Sequence, residues 1–285
     1  MEVNMPTRVT TTLIAASIAL AGATTAVFAG PLQDRIDAGK PIRIGFANIP
    51  IWAYPDDAGE PDGFMNDVAI QTLANMGYTN IEAVVTDWGG LIPGLQAERY
   101  DMITGGMYIL NSRCENVSFS EPVGVFSDAF IVPAGNPKDL HNYQDVLDAG
   151  GVLVTGAGYN TVEAAKREGF TDANLMQVPG VTEIKAAVEA GRADAGVLTY
   201  FEAAHVAHES GGKIDLGDVS KLPEWTKNWV GIGFRHDDKD FLEKFNPALQ
   251  AYIGTDEMLA LVAEHEYTTD HLPGDKTAEW ACANR

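Results

Sequence analysis

Three aromatic residues and one arginine stand where they could hold a small ligand. Trp52, Trp88 and Tyr108 each follow an apolar, strand-like run by a residue or two, where a core aromatic is less expected. Arg113 comes five positions after Tyr108, beyond the glycine pair of GGMYILNSRC. Each aromatic face attracts a cation by about 0.5 to 2 kcal/mol, depending on desolvation. The planar fork of an arginine takes a carboxylate bidentately. A cation on the rings and a carboxylate on Arg113 together describe a compact zwitterion. The plainer alternative is that the rings are core packing and Arg113 is a surface or interlobe ion-pair partner.

Other motifs carry less. TGAGYNT, residues 155–161, follows a strand and opens a helix, but Thr161 stands where a dinucleotide fingerprint needs its third glycine. Free amides at a helix N-terminus attract anions, so Asn160 and Thr161 are candidates for the ligand carboxylate. Helix capping accounts for them equally well. His205 and His208 are spaced i, i+3, which is not the order of a zinc peptidase and fits a solvated helix face. No Ser-His-Asp or Cys-His set assembles from local signatures. Glu121 and Glu202 are the nearest acidic candidates for a general acid or base. No catalytic residue, metal or cofactor is expected.

The elements that must position these residues follow a βαβα order. IRIGFANIPIW (42–52) begins as a strand and breaks at Pro50, IEAVVTDW (81–88) reads as a second strand and YDMITGGMYI (100–109) as a third running into a glycine turn, with helices at 67–77 and after Trp88. Val68, Ile70, Leu73 and Ala74 are expected on one helix face, with Gly77 as C-cap. After residue 151 the pattern restarts, with VLVTGAG, ANLMQV and ADAGVLTYF as strands and WVGIGFR as one more. Two helices close the chain, at 239–253 and 257–265. The expected fold is α/β with two lobes, crossed at 126–136 and 229–235, and a cleft at the carboxyl ends of the strands. The expected organisation is a signal peptide at 1–29, a first lobe from 30–127 and 231–285, and a second lobe from 128–230.

The formal net charge of −21 makes nucleic acid an improbable partner, since phosphate binding needs a basic face. Near the N-terminus, Arg8, an apolar run over 13–23 and the small residues Val27 and Ala29 predict an export signal cleaved before Gly30. Export implies the periplasm, and no apolar stretch predicts insertion into the membrane. Cys114 and Cys282 are the only cysteines. In an oxidising compartment one pairing is available to them, and two free thiols are the alternative.

With these residues in place, the chain resembles the periplasmic solute-binding proteins of ABC importers, of the polar amino acid type (solute-binding family 3). The resemblance rests on GFMNDVAIQTL, IPGLQAERYDMITGGM, SRCENVSFSEPV, EAGRADAGVLT and GIGFR, in order, and covers nearly all of the chain after the signal. It implies a type II two-lobed fold, a monomer, and delivery of a small ligand to a permease in the inner membrane. Within the family the chain is most similar to the ectoine and hydroxyectoine binders. That likeness implies a box of Trp52, Trp88 and Tyr108, with Arg113 on the ligand carboxylate, and supports the Cys114–Cys282 bridge. Three positions depart from the pattern. Ile49 stands where ectoine binders carry an acid for the ring amidinium, Thr199 stands where amino acid binders place an aspartate, and Leu110 replaces a usual threonine. The loss of the acid at Ile49 favours a quaternary ammonium, unless Glu60 or Glu202 takes over the pairing. A compatible solute, ectoine or a betaine, is the expected ligand, with a polar amino acid or a dehydratase-like enzyme as alternatives.

Overall fold

The computed structural model describes residues 1–2 and 30–285. All but residues 1–2 of the expected signal segment therefore lie outside the described residues. Among the described residues no helix is long and apolar enough to cross a membrane.

The βαβα reading yields two parallel cores. In the first, strand Ile42–Phe46 runs parallel to Ile81–Val85 on one side and Met102–Tyr108 on the other. In the second, Leu153–Gly156 runs parallel to both Leu175–Val178 and Ala195–Thr199. One long strand, Gly124–Pro133, pairs in both sheets and joins the cores. Gly124–Pro133 pairs antiparallel with Lys227–Phe234 over residues 124–127, then with Ala195–Thr199 and Ile214–Leu216 over residues 128–133. Lys227–Phe234 continues antiparallel onto Met102–Tyr108. A single hydrogen-bonded path thus runs through both sheets. Apolar side chains pack as separate clusters on each part, around Phe46, Phe64 and Phe234 in one and around Val154, Ile184 and Leu198 in the other.

Three local expectations need correction. Helix Phe64–Asn75 buries Met65, Val68, Ala69, Thr72 and Leu73, while Ile70 and Ala74 are only half-buried. Its inner stripe is thus rotated from the one expected, because positions i, i+3, i+4 and i+7 starting at Met65 face the sheet. The apolar run ADAGVLTYF is not all strand. Extended structure stops at Thr199, and helix Tyr200–His208 begins at once. Thr199 and Glu202 form a reciprocal capping box that satisfies two otherwise unpaired amides. Finally, helix Asn160–Glu168 is N-capped by Tyr159 without a side-chain bond, so neither Asn160 nor Thr161 serves as its cap.

A terminal helix, Ala278–Asn284, was not expected from periodicity. It packs on the four-residue helix Asn111–Cys114, and Cys282 is joined to Cys114 across a Cα separation of 5.8 Å. Trp280 and Trp229 meet edge to face beside the bridge, with ring centroids 5.0 Å apart.

Candidate functional site

A small cavity opens between the two sheets. Its first-lobe wall carries Trp52, Trp88, Tyr108 and Arg113; Asn160 and Thr199 face them from the second lobe. Six of the seven expected ligand residues are thereby brought together. Thr161 is the exception. Its side chain is fully buried, and its hydroxyl is hydrogen-bonded to that of Thr155.

The ring positions follow from backbone constraints. Trp52 sits in the loop after Ile42–Phe46, held by amides of the next helix: Phe64 donates to the Ile51 carbonyl and Met65 to the Trp52 carbonyl, both at 3.0 Å. Gly106, with φ +77°, lies against the Trp52 ring, and a Cβ there would come within 2.5 Å of it. The glycine pair of GGMY is therefore what lets the indole lie on the strand. Behind it, Phe126 and Phe64 pack at 4.7 and 5.0 Å. Trp52 is nearly fully buried, and its Nε1 donates to Thr199 Oγ1 across the cleft at 3.2 Å. Trp88 is half-buried, donates to the Gly158 carbonyl at 3.1 Å and meets Tyr159 edge to face. Both indole N–H groups are thus occupied by protein, leaving ring faces and edges for the cavity.

Arg113 projects from the short helix Asn111–Cys114. It donates through Nη1 to the Tyr108 carbonyl at 2.9 Å and through Nη2 to the Gly158 carbonyl at 3.0 Å. It is 8% exposed and forms no ion pair among the described residues. Burial pulls its pKa down to about 10, opposed by the more distant charge of Glu163. A buried guanidinium held only by carbonyls keeps donors for an anion.

Two further groups complete the cavity: Tyr159, which nothing in the sequence singles out, and Glu202, which the sequence offers only as an alternative acid. Tyr159 lines it beside Trp88. Glu202 enters it from the first turn of helix Tyr200–His208, and burial raises its carboxyl pKa. The signal for Glu202 was present as T-x-x-E at residues 199–202. Glu121 does not line this cavity; its carboxylate accepts from the Ala278 amide. Glu60 is exposed and also does not line it. Ile49 does, and it is apolar and nearly buried.

Asn160 is oriented by a residue behind the wall. Its Nδ2 donates to Asp128 Oδ1 at 2.8 Å, and Tyr143 donates to Asp128 Oδ2 at 2.8 Å. Burial pushes the Asp128 carboxyl up to about 6. The Asn160 amide nitrogen is thereby engaged, and its side-chain oxygen retains acceptor capacity.

The Tyr108 hydroxyl is buried and makes no hydrogen bond among the described residues. An orphaned buried hydroxyl costs about 1 to 3 kcal/mol. Tyr108→Phe is therefore expected to raise the thermal midpoint of the unliganded protein while weakening solute binding. Differential scanning calorimetry and titration on the same preparation check both signs, and a lower midpoint would show that the hydroxyl is satisfied.

Residues 42–266 match the model of the bacterial extracellular solute-binding proteins, family 3, and the chain belongs to that family. A probable amino-acid ABC transporter periplasmic-binding protein of Sinorhizobium fredii is 33% identical over 276 residues, 94% of this chain and 89% of the relative. Among solved structures, EhuB in complex with hydroxyectoine superposes with a TM-score of 0.78 at 24% identity, covering 90% of this chain and 98% of that one. An ancestral amino acid-binding protein, described as a precursor of cyclohexadienyl dehydratase, superposes with a TM-score of 0.70 at 22% identity, covering 83% and 99%. The two-lobed fold is that of the type II periplasmic binding proteins. Proteins of this family bind small solutes and work with a membrane permease.

Proposed function

We propose that this protein captures a compact zwitterionic solute outside the cytoplasm, in the periplasm, and hands it to an ABC permease of the inner membrane. Arg113 takes the carboxylate, and Trp52, Trp88 and Tyr108 surround the cationic end, with Asn160 and Thr199 closing from the other lobe. The observation that carries this reading is the buried Arg113, which has no carboxylate partner of its own among the described residues. A cationic wall group beside aromatic faces suits an ectoine-like or betaine-like compatible solute. The hydroxyectoine complex of EhuB, similar in fold, is consistent with that choice.

A polar amino acid is the second reading, favoured by the name of the Sinorhizobium fredii relative. Catalysis is not part of the proposal. Glu202 is bound to Thr199 rather than to a partner base. Thermal unfolding with ectoine, hydroxyectoine, glycine betaine, proline and common polar amino acids decides among the ligands. A solute that binds only the folded state at 100 times its Kd stabilises by about 2.7 kcal/mol. The expected result is a raised midpoint with compatible solutes. A response confined to α-amino acids would favour the second reading, and turnover of a prephenate-like compound would overturn the non-enzymatic one.

A further inference from the structure

Glu202 is the least explained charge in the cavity. It is 5% exposed, and it forms no ion pair among the described residues, with Arg113 or with any other cation. A carboxylate removed from water without a counter-charge is costly unless hydrogen bonds and a cation compensate it. Part of that compensation is built in. The Thr199 amide donates to Oε2 at 3.1 Å and the Thr199 hydroxyl to the same oxygen at 2.7 Å. The Thr199 hydroxyl in turn accepts from Trp52 Nε1 at 3.2 Å, so a relay of donors runs from the first-lobe wall to this carboxylate. Both Thr199 donors converge on Oε2, and the Tyr159 hydroxyl also hydrogen-bonds the carboxylate; four lone-pair sites still leave room for a further donor. The aromatic groups Trp52, Trp88, Tyr108 and Tyr159 line the same cavity, and Ile49, on the opposite lobe, offers no charge.

We infer that Glu202 pairs with the cationic end of the solute, and that the site therefore selects a cation bearing N–H donors over a fully alkylated ammonium. This rests on the zwitterion reading and narrows it. Arg113 and Glu202 stand on different lobes, in the helices Asn111–Cys114 and Tyr200–His208. A zwitterion whose carboxylate meets the first and whose N–H meets the second joins the two lobes through its own charges. A quaternary ammonium still gains the ring faces but gives the remaining carboxylate lone pairs nothing to accept. Glu202 then supplies from the other lobe the negative charge that Ile49 does not offer.

The test uses a matched ligand pair, L-proline and its N,N-dimethyl derivative, together with ectoine, titrated calorimetrically into the wild-type protein and Glu202→Gln. Glutamine is competent at the third position of a capping box, so the helix start is preserved, and the unliganded thermal midpoint verifies this. In wild type the N–H ligands are expected to bind at least about 10-fold more tightly than the dimethyl compound. Hydrogen bonds to charged groups contribute on a scale that makes the expected loss in Glu202→Gln about 10- to 100-fold for the N–H ligands. The dimethyl compound should change much less, so the ratio collapses. Equal or tighter binding of the dimethyl compound by wild type, or an unchanged ratio in Glu202→Gln, overturns the role of Glu202. Binding by none of the three, or binding indifferent to Arg113→Ala, overturns the zwitterion reading and this inference with it. Binding that needs Arg113 but ignores Glu202 overturns this inference alone.

Discussion

Arg113→Ala is expected to abolish binding of any carboxylate solute while the protein stays folded. The side chain is buried, it spans from the Tyr108 carbonyl to the Gly158 carbonyl, and no acid neutralises it among the described residues. Truncating one member of a buried, hydrogen-bonded charge pair costs about 2 to 5 kcal/mol, which is roughly a 30- to 5,000-fold loss of affinity. The folded protein loses less. Burial already disfavours the guanidinium, as its lowered pKa records, so alanine also removes a desolvation cost. The helix that carries residue 113 keeps its tie to the C-terminal helix through Cys114. Isothermal titration with the best solute from the panel, and thermal unfolding without it, separate the two effects. Near-native affinity in the variant would remove Arg113 from the site.

The second large effect concerns the bridge. Cys114 and Cys282 are 168 residues apart, and the chain-entropy account gives a loop of that length a contribution of about 5 kcal/mol. For a domain of this size, each kcal/mol corresponds to roughly 2 to 4 °C in Tm, so Cys114→Ser with Cys282→Ser should lower the midpoint by about 10 to 20 °C. Binding should weaken as well, because Arg113 is the neighbour of Cys114 and shares its single helical turn. The terminal helix also contributes a direct bond to that turn, since Asn111 Nδ2 donates to the Cys282 carbonyl at 3.0 Å. Non-reducing peptide mapping should show residues 114 and 282 linked. An unchanged midpoint in the double variant would show that noncovalent packing of the two helices suffices.

Much of the cavity wall could be read from the chain because its residues are anomalous there. Tyr108 ends the strand Met102–Tyr108, Trp88 follows Ile81–Val85, Trp52 lies in the loop after Ile42–Phe46, and Arg113 sits just past a glycine turn, so all four gather at strand ends. Glu202 is legible only as an alternative acid, for a different reason. VLTYF has the apolar content of a strand throughout, and only the capping pair Thr199 and Glu202 marks the change to helix. Read for its cap, the segment would have turned Glu202 toward the strand end and hence toward the cleft. The parallel units were legible because each is local in sequence. The joining of both sheets through Gly124–Pro133 was not, since its partners lie at 195–199, 214–216 and 227–230. Periodicity reports which face of a strand is buried and is silent on which distant strand lies beside it.

The Gly158 carbonyl, which accepts from both Trp88 and Arg113, bears on how affinity can drift in evolution. Those two bonds join the lobes directly and involve no solute atom, so they favour this arrangement of the lobes over any in which they separate, whether or not a solute is bound. Apparent affinity is the intrinsic affinity scaled by the fraction of molecules competent to hold the ligand. Substitutions that reposition this one peptide group can therefore raise or lower the capture threshold while every cargo-facing side chain remains the same. The same carbonyl gives a lineage a way to match different external solute levels without redesigning its specificity.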